Sequence, residues 1–157
     1  MSYKPTKAQV LARLIAQLRE RIAQTQGVLQ HAHTAATDGE AKAENKYDTR
    51  GLEMSFVAAG QTDRVAALRQ VLSALHHWQP PQMLESARPG ALLELRCDEE
   101  SRWMYITPYG DATKLDIEGT TVQVINLKAP VGRALVGRSE GDEVQVLGRS
   151  WEITSLQ

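Results

Sequence analysis

Apolar residues recur along the first part of the chain at Leu11, Ile15, Leu18, Ile22, Leu29 and Ala32, with Thr25 filling the remaining slot. The intervals alternate between four and three, the period of a heptad seam with two apolar positions in seven. The pattern predicts a helix from Lys7 to about Ala36, with Pro5 and Thr6 suiting its start. A second seam runs through Met54, Ala58, Gln61, Val65, Leu68, Leu72 and Leu75. Set antiparallel, Leu11 with Leu75, Leu18 with Leu68, Thr25 with Gln61 and Ala32 with Met54 have residue numbers summing to 86. Ile15 with Leu72, Ile22 with Val65 and Leu29 with Ala58 sum to 87. One register therefore serves a whole helical hairpin over residues 1–79, and the chain reverses near residue 43. Thr25 facing Gln61 makes a polar layer able to specify register at some cost in stability. Gly27 and Gly60 fall at one level of the same register. Each costs about 1 kcal/mol relative to Ala in a helix interior; close approach of the helices is the simpler reason for them, and a flexible point in the arm is the alternative. Arms of about 30 residues, rising about 1.5 Å each, put the tip on the order of 45 Å from the base.

Beyond residue 79 the pattern changes. Gln79-Pro-Pro-Gln and Ala87-Arg-Pro-Gly end the second helix and form a linker over 80–90. The apolar period then falls to two. Ala91–Cys97 and Arg102–Thr107 read as a hairpin around Asp98–Ser101, Pro108-Tyr-Gly110 breaks the second strand, and Thr120–Ile125 reads as a third. Pro130–Gly137 reads as a short helix opened by proline. Two more strands are expected near Glu143–Leu147 and Trp151–Ser155, after the turn at Gly141-Asp142. A small antiparallel sheet on one short helix over 91–157, following a helical hairpin, makes the chain α+β.

Charge gives the hairpin its interest. Four carboxylates, Asp38, Glu40, Glu44 and Asp48, lie where the chain reverses, whereas the stretch before them holds only Glu20 against five bases. Residues 1–79 carry 10 Lys/Arg against 7 Asp/Glu and residues 80–157 carry 8 against 12, that is +3 and −4, together the net −1. Neither half has the basic excess of a general nucleic-acid binder. A single cysteine, Cys97, excludes an internal disulfide and a cysteine zinc cluster and fits a reducing compartment. The polar start and the lack of a long apolar run lead to the expectation of a cytoplasmic protein without a membrane partner. His31 and His33, two apart, and the adjacent His76 and His77 point to different sides of a helix and share no metal. The simplest role for the four acids is a solvated turn; the more specific one is presentation of carboxylates to something outside the chain.

Gly39-Glu-Ala-Lys-Ala-Glu-Asn-Lys-Tyr47 resembles the coiled-coil tip of the bacterial Gre transcript-cleavage factors (the GreA/GreB family), and Ala129-Pro-Val-Gly-Arg-Ala-Leu-Val-Gly-Arg138 with Gly141-Asp-Glu-Val144 is similar to their C-terminal signature. The resemblance covers nearly the whole chain in the same order. It implies an N-terminal antiparallel coiled coil and an FKBP-like C-terminal domain. It implies RNA polymerase as partner, with the second domain, through Pro130 and Arg133, docking at the rim of the secondary channel and the hairpin entering it. There Glu40 and Glu44 would act as catalytic acids sharing Mg²⁺ with the polymerase, with Asp38 as the alternative first acid and Asn45 and Tyr47 in support. The nascent RNA 3′ end would be met indirectly. The chain would then be a monomeric cofactor protein rather than an enzyme, part of a DNA-binding transcription complex and without a bound cofactor of its own. Glu40 and Glu44 stand four residues apart where the family's acids stand three apart, which keeps open a Gre-like regulator that occupies the channel without stimulating cleavage. An FKBP-like fold also admits a peptidyl-prolyl isomerase, with Trp103, Tyr105, Tyr109 and Trp151 lining a pocket, although period two places Trp103 and Tyr105 on one strand face, where they supply core.

Overall fold

The computed structural model describes the backbone of residues 3–42 and 50–157 and the side chains of residues 3–27, 60 and 62–157. The elements run α1 (Lys7–Lys42), α2 (Arg50–His77), β1 (Leu92–Cys97), β2 (Glu100–Thr107), β3 (Thr113–Ile117), β4 (Thr120–Asn126), α3 (Pro130–Leu135), β5 (Glu143–Val146) and β6 (Arg149–Leu156). Two compact units result, Ala16–His76 and a second made of Met1–Ile15 with His77–Gln157. The first turns of α1 thus group with the sheet.

In the helical unit Leu18, Ile22, Val65 and Leu75 are buried. Arg19 Nη2 lies 3.1 Å from His76 Nε2, so the early part of α1 meets the late part of α2. Helix α1 ends at Lys42 and α2 begins at Arg50, and the expected reversal near residue 43 lies outside the described residues. Further back in α1, Val10 and Leu14 are buried while Leu11 and Ile15 are half-buried. These residues belong to the unit that holds the sheet. Gly27 and Gly60 correct a second expectation. Both are exposed, and a Cβ added to either would meet nothing within 4 Å, so close helix approach does not account for them.

The sheet unit departs from expectation in topology. Its six strands lie in the order β3-β4-β2-β1-β6-β5, and the sheet is mixed rather than antiparallel, because β2 pairs β4 in parallel, Trp103 with Val122 through Thr107 with Asn126. The strand β3 went unanticipated. It has only two buried residues, Leu115 and Ile117, in five, and it forms a hairpin with β4 at the edge. The strand β2 ends at Thr107, before Pro108 and Gly110. The chain crosses to the edge, and β4 returns alongside β2 in the same direction.

One sheet face packs Leu93, Leu95, Met104, Ile106, Ile125, Val144, Val146, Trp151 and Ile153 against Ala87 and Leu135. Leu135, wholly buried, anchors α3; truncating such a leucine to alanine costs about 2–5 kcal/mol. Lys7 fastens the start of α1 to the linker within this unit. Its Nζ donates to the carbonyl of Pro81 at 3.0 Å and also to that of Gln82, and burial lowers its pKa from the ordinary lysine value.

Candidate functional site

Sequence points to two places, the acidic reversal and the segment around α3. Asp38 and Glu40 fall in the last turns of α1. Glu44, Asn45 and Tyr47 lie outside the described residues. Carboxylate oxygens are the donors Mg²⁺ accepts, so the chemistry of Glu40 and Glu44 suits that ion. Among the described residues no three Asp, Glu, His or Cys side chains converge to hold a metal.

The segment around α3 is built in detail. Ala129 caps the helix in extended conformation without a side-chain bond, and Pro130 occupies its first turn, where a missing N–H costs nothing. Pro130 and Arg133 are both exposed. Gly132 is buried, and a Cβ there would collide with the carbonyl oxygen of Asn126. Glycine is thus demanded by packing, and it lets α3 lie directly on the end of β4. The helix closes through Val136 N–H to Gly132 O at 3.0 Å. Gly137 follows at φ +85°, a conformation that favours glycine. Its N–H donates to Ala87 O at 2.8 Å, while Ala87 N–H donates to Arg138 O at 2.7 Å. This pair straps the helix to the linker.

Arg133 Nε donates to Lys128 O at 2.9 Å, so the guanidinium sits over the turn that precedes its own helix. Leu127, Lys128, Arg133 and Val136 line an open hollow of about 470 Å³. Among the described residues, Val136 is one of the few large apolar side chains left exposed. Two cations beside exposed apolar surface make a surface suited to an acidic, partly apolar protein partner. Sequence reasoning named Pro130 and Arg133 here but missed Lys128, Val136 and Asn126. The Asn126-Leu-Lys-Ala-Pro130 run holds a legible signal, an asparagine opening a turn before proline.

The isomerase pocket expected from the sequence does not form. Trp103, Tyr105 and Trp151 are buried in the sheet. Trp151 lies under Arg102 and Arg149, whose guanidinium carbons are 5.1 and 5.0 Å from its ring centre. Tyr109 stands exposed and meets Trp78 edge-on at 6.3 Å. These four aromatics supply core and packing rather than one open cleft.

The chain matches no protein-family model. It is 29% identical over 148 residues to the transcription elongation factor GreA of Paracoccus denitrificans, covering 90% of this chain and 88% of that one. It is 28% identical over 130 residues to GreA of Ruegeria pomeroyi, covering 78% and 76%. Among solved structures, it is similar to GreA factor homolog 1 (Gfh1) of Thermus thermophilus at 20% identity and a TM-score of 0.37, covering 91% of this chain and 94% of that one. The likeness to Gfh1 of Thermus aquaticus is comparable, at 19% identity and a TM-score of 0.38, covering 90% and 92%. By sequence, over most of its length, the chain is similar to proteins named transcription elongation factor GreA.

Proposed function

We propose that this chain binds RNA polymerase and stimulates cleavage of backtracked RNA, lending the polymerase carboxylates from its hairpin tip. The observation that carries the reading is the sequence relationship to GreA across 90% of the chain, which spans the acidic reversal and the α3 segment together. In this reading α1 and α2 work as an antiparallel coiled-coil arm, the sheet unit is FKBP-like, and Pro130, Arg133 and the hollow beside them dock at the rim of the secondary channel. Glu40 and Glu44 reach the polymerase's metal site. Phosphodiester cleavage draws on Mg²⁺ to stabilise developing charge and to activate water. A hard divalent ion usually takes only one or two protein carboxylates, so two acids on a thin arm are enough to complete a site held mainly by the polymerase. Asn45 and Tyr47 support the tip, and the chain alone has no catalytic activity.

A second reading is favoured by one observation, the four-residue interval between Glu40 and Glu44. A carboxylate displaced by a few ångströms ligates a metal poorly. The arm then fills the channel and slows transcription without promoting cleavage.

Docking is tested by the affinity of the full chain for purified polymerase. Arg133→Ala should weaken binding several-fold at an unchanged melting temperature, because the side chain is exposed. Pro130→Ala should act in the same direction. Binding as tight as wild type by Arg133→Ala would sink the docking assignment, and no binding by the wild type would sink the whole reading.

A further inference from the structure

Asn126, the last residue of β4, is bonded at both ends of its side chain. Its Nδ2 donates to Gly110 O at 2.7 Å, and its Oδ1 accepts the N–H of Lys128 at 2.8 Å. Its own carbonyl accepts Ala129 N–H at 3.0 Å and is the atom against which Gly132 packs. One residue thus joins three pieces of chain: the loop after β2, the turn before α3, and α3 itself.

The consequences reach the exposed surface. The Oδ1 bond to the second residue onward is an Asx turn, which shapes the backbone around Lys128. Lys128 O in turn accepts Arg133 Nε. Asn126 therefore sets the guanidinium's place at one remove. On its other side it grips the loop that carries Tyr109. That loop is held a second time by the buried Thr107, whose Oγ1 donates to Tyr109 O at 2.9 Å and accepts Tyr109 N–H at 3.2 Å. Leu127 N–H donates to Thr107 O at 3.1 Å.

We infer that Asn126 is the positioning residue of the docking surface, joining the Tyr109 loop and the Lys128–Arg133 turn into one preorganised face for the polymerase. The inference rests on the docking reading above. A turn held in its bound shape loses less freedom on association than a loose one.

The test measures polymerase affinity of the full chain for wild type, Asn126→Leu, Asn126→Asp, Arg133→Ala and the core control Ile153→Val. Leucine removes both bonds and keeps the branching at Cγ, with a larger side chain. Aspartate keeps the acceptor for Lys128 N–H but loses the donor to Gly110. Asn126→Leu should weaken binding by roughly tenfold and Asn126→Asp by less, while Ile153→Val lowers the melting temperature and keeps wild-type affinity. If Asn126→Leu does not fold, Asn126→Asp carries the comparison. Asn126 variants binding within about twofold of wild type while Arg133→Ala is weakened would overturn the positioning role and leave docking intact. A loss of affinity in Ile153→Val equal to that of an Asn126 variant of the same melting temperature would overturn it as well. Wild-type affinity in Arg133→Ala would bring down the docking reading, and this proposal with it.

Discussion

Tyr105 sits wholly buried in the middle of the sheet, between Leu92 of β1 and Val124 of β4. Its hydroxyl has no hydrogen-bond partner among the described residues, and burial pushes its pKa up from 10. A buried hydroxyl left unpaired costs about 1–3 kcal/mol. Tyr105→Phe should therefore raise stability by about 1 kcal/mol at neutral pH. The sign with pH follows from linkage. The unfolded tyrosine ionises near pH 10 while the folded one stays protonated, so the native state loses stability as pH rises above about 10. The phenylalanine variant escapes this loss, and its advantage in urea unfolding should widen from pH 9 to pH 11. A variant less stable than wild type at neutral pH would mean that the hydroxyl is paired.

At this scale the sequence is legible where a residue acts by its own chemistry. Pro130 and Arg133 stand out because proline opens a helix and arginine carries charge. Gly132 and Asn126 escape notice because their roles arise from contact. Nothing local says that a Cβ at 132 would strike the carbonyl of 126, or that the amide of Asn126 reaches Gly110.

Among the elements, both long helices are readable from their apolar spacing, and both extend further than the seams suggested, α1 to Lys42 and α2 back to Arg50. The buried stripe at the start of α1 is less legible. A heptad sum treats the arms as an isolated pair, whereas the first turns of α1 group with the sheet, and the buried stripe there shifts to Val10 and Leu14. In the sheet, every strand with a strong alternation is found. The short β3 is not, because an edge strand with two inward residues leaves too weak a pattern, and missing it hides the parallel pairing of β2 with β4. The glycines give the element-scale prediction. Gly27 and Gly60 lie within helices, exposed, with open space where a Cβ would go. Gly27→Ala and Gly60→Ala should each stabilise the chain by about 0.5–1 kcal/mol, and the pair should add. Thermal or urea unfolding of the full chain checks this; destabilisation by either alanine would show that the glycine conformation is required.

For the molecule as a whole, the chemistry is divided between places far apart in sequence. A cationic, partly apolar surface is held by α3 and the end of β4, and acids gather at the end of α1 and in the residues that follow. Among the described residues no helix is long and apolar enough to cross a membrane. The α3 segment was legible as a motif and is built as a surface. The tip was legible only as a motif, because Glu44, Asn45 and Tyr47 lie outside the described residues and the spacing of Glu40 from Glu44 does not by itself decide between ligating a metal and filling a channel.

Stimulated cleavage in a stalled, backtracked polymerase complex tests the central claim most directly, with wild type, Glu40→Ala and Glu44→Ala compared at equal occupancy of the polymerase. The account predicts that the wild type accelerates cleavage above the polymerase's own rate. It predicts that Glu44→Ala abolishes the acceleration with binding nearly unchanged, and that Glu40→Ala loses it but recovers in part as Mg²⁺ is raised, because weaker metal capture is offset by concentration. Equal acceleration by all three proteins would contradict the assignment of the tip carboxylates, and no acceleration by the wild type, with transcription slowed instead, would replace cleavage by channel occupancy.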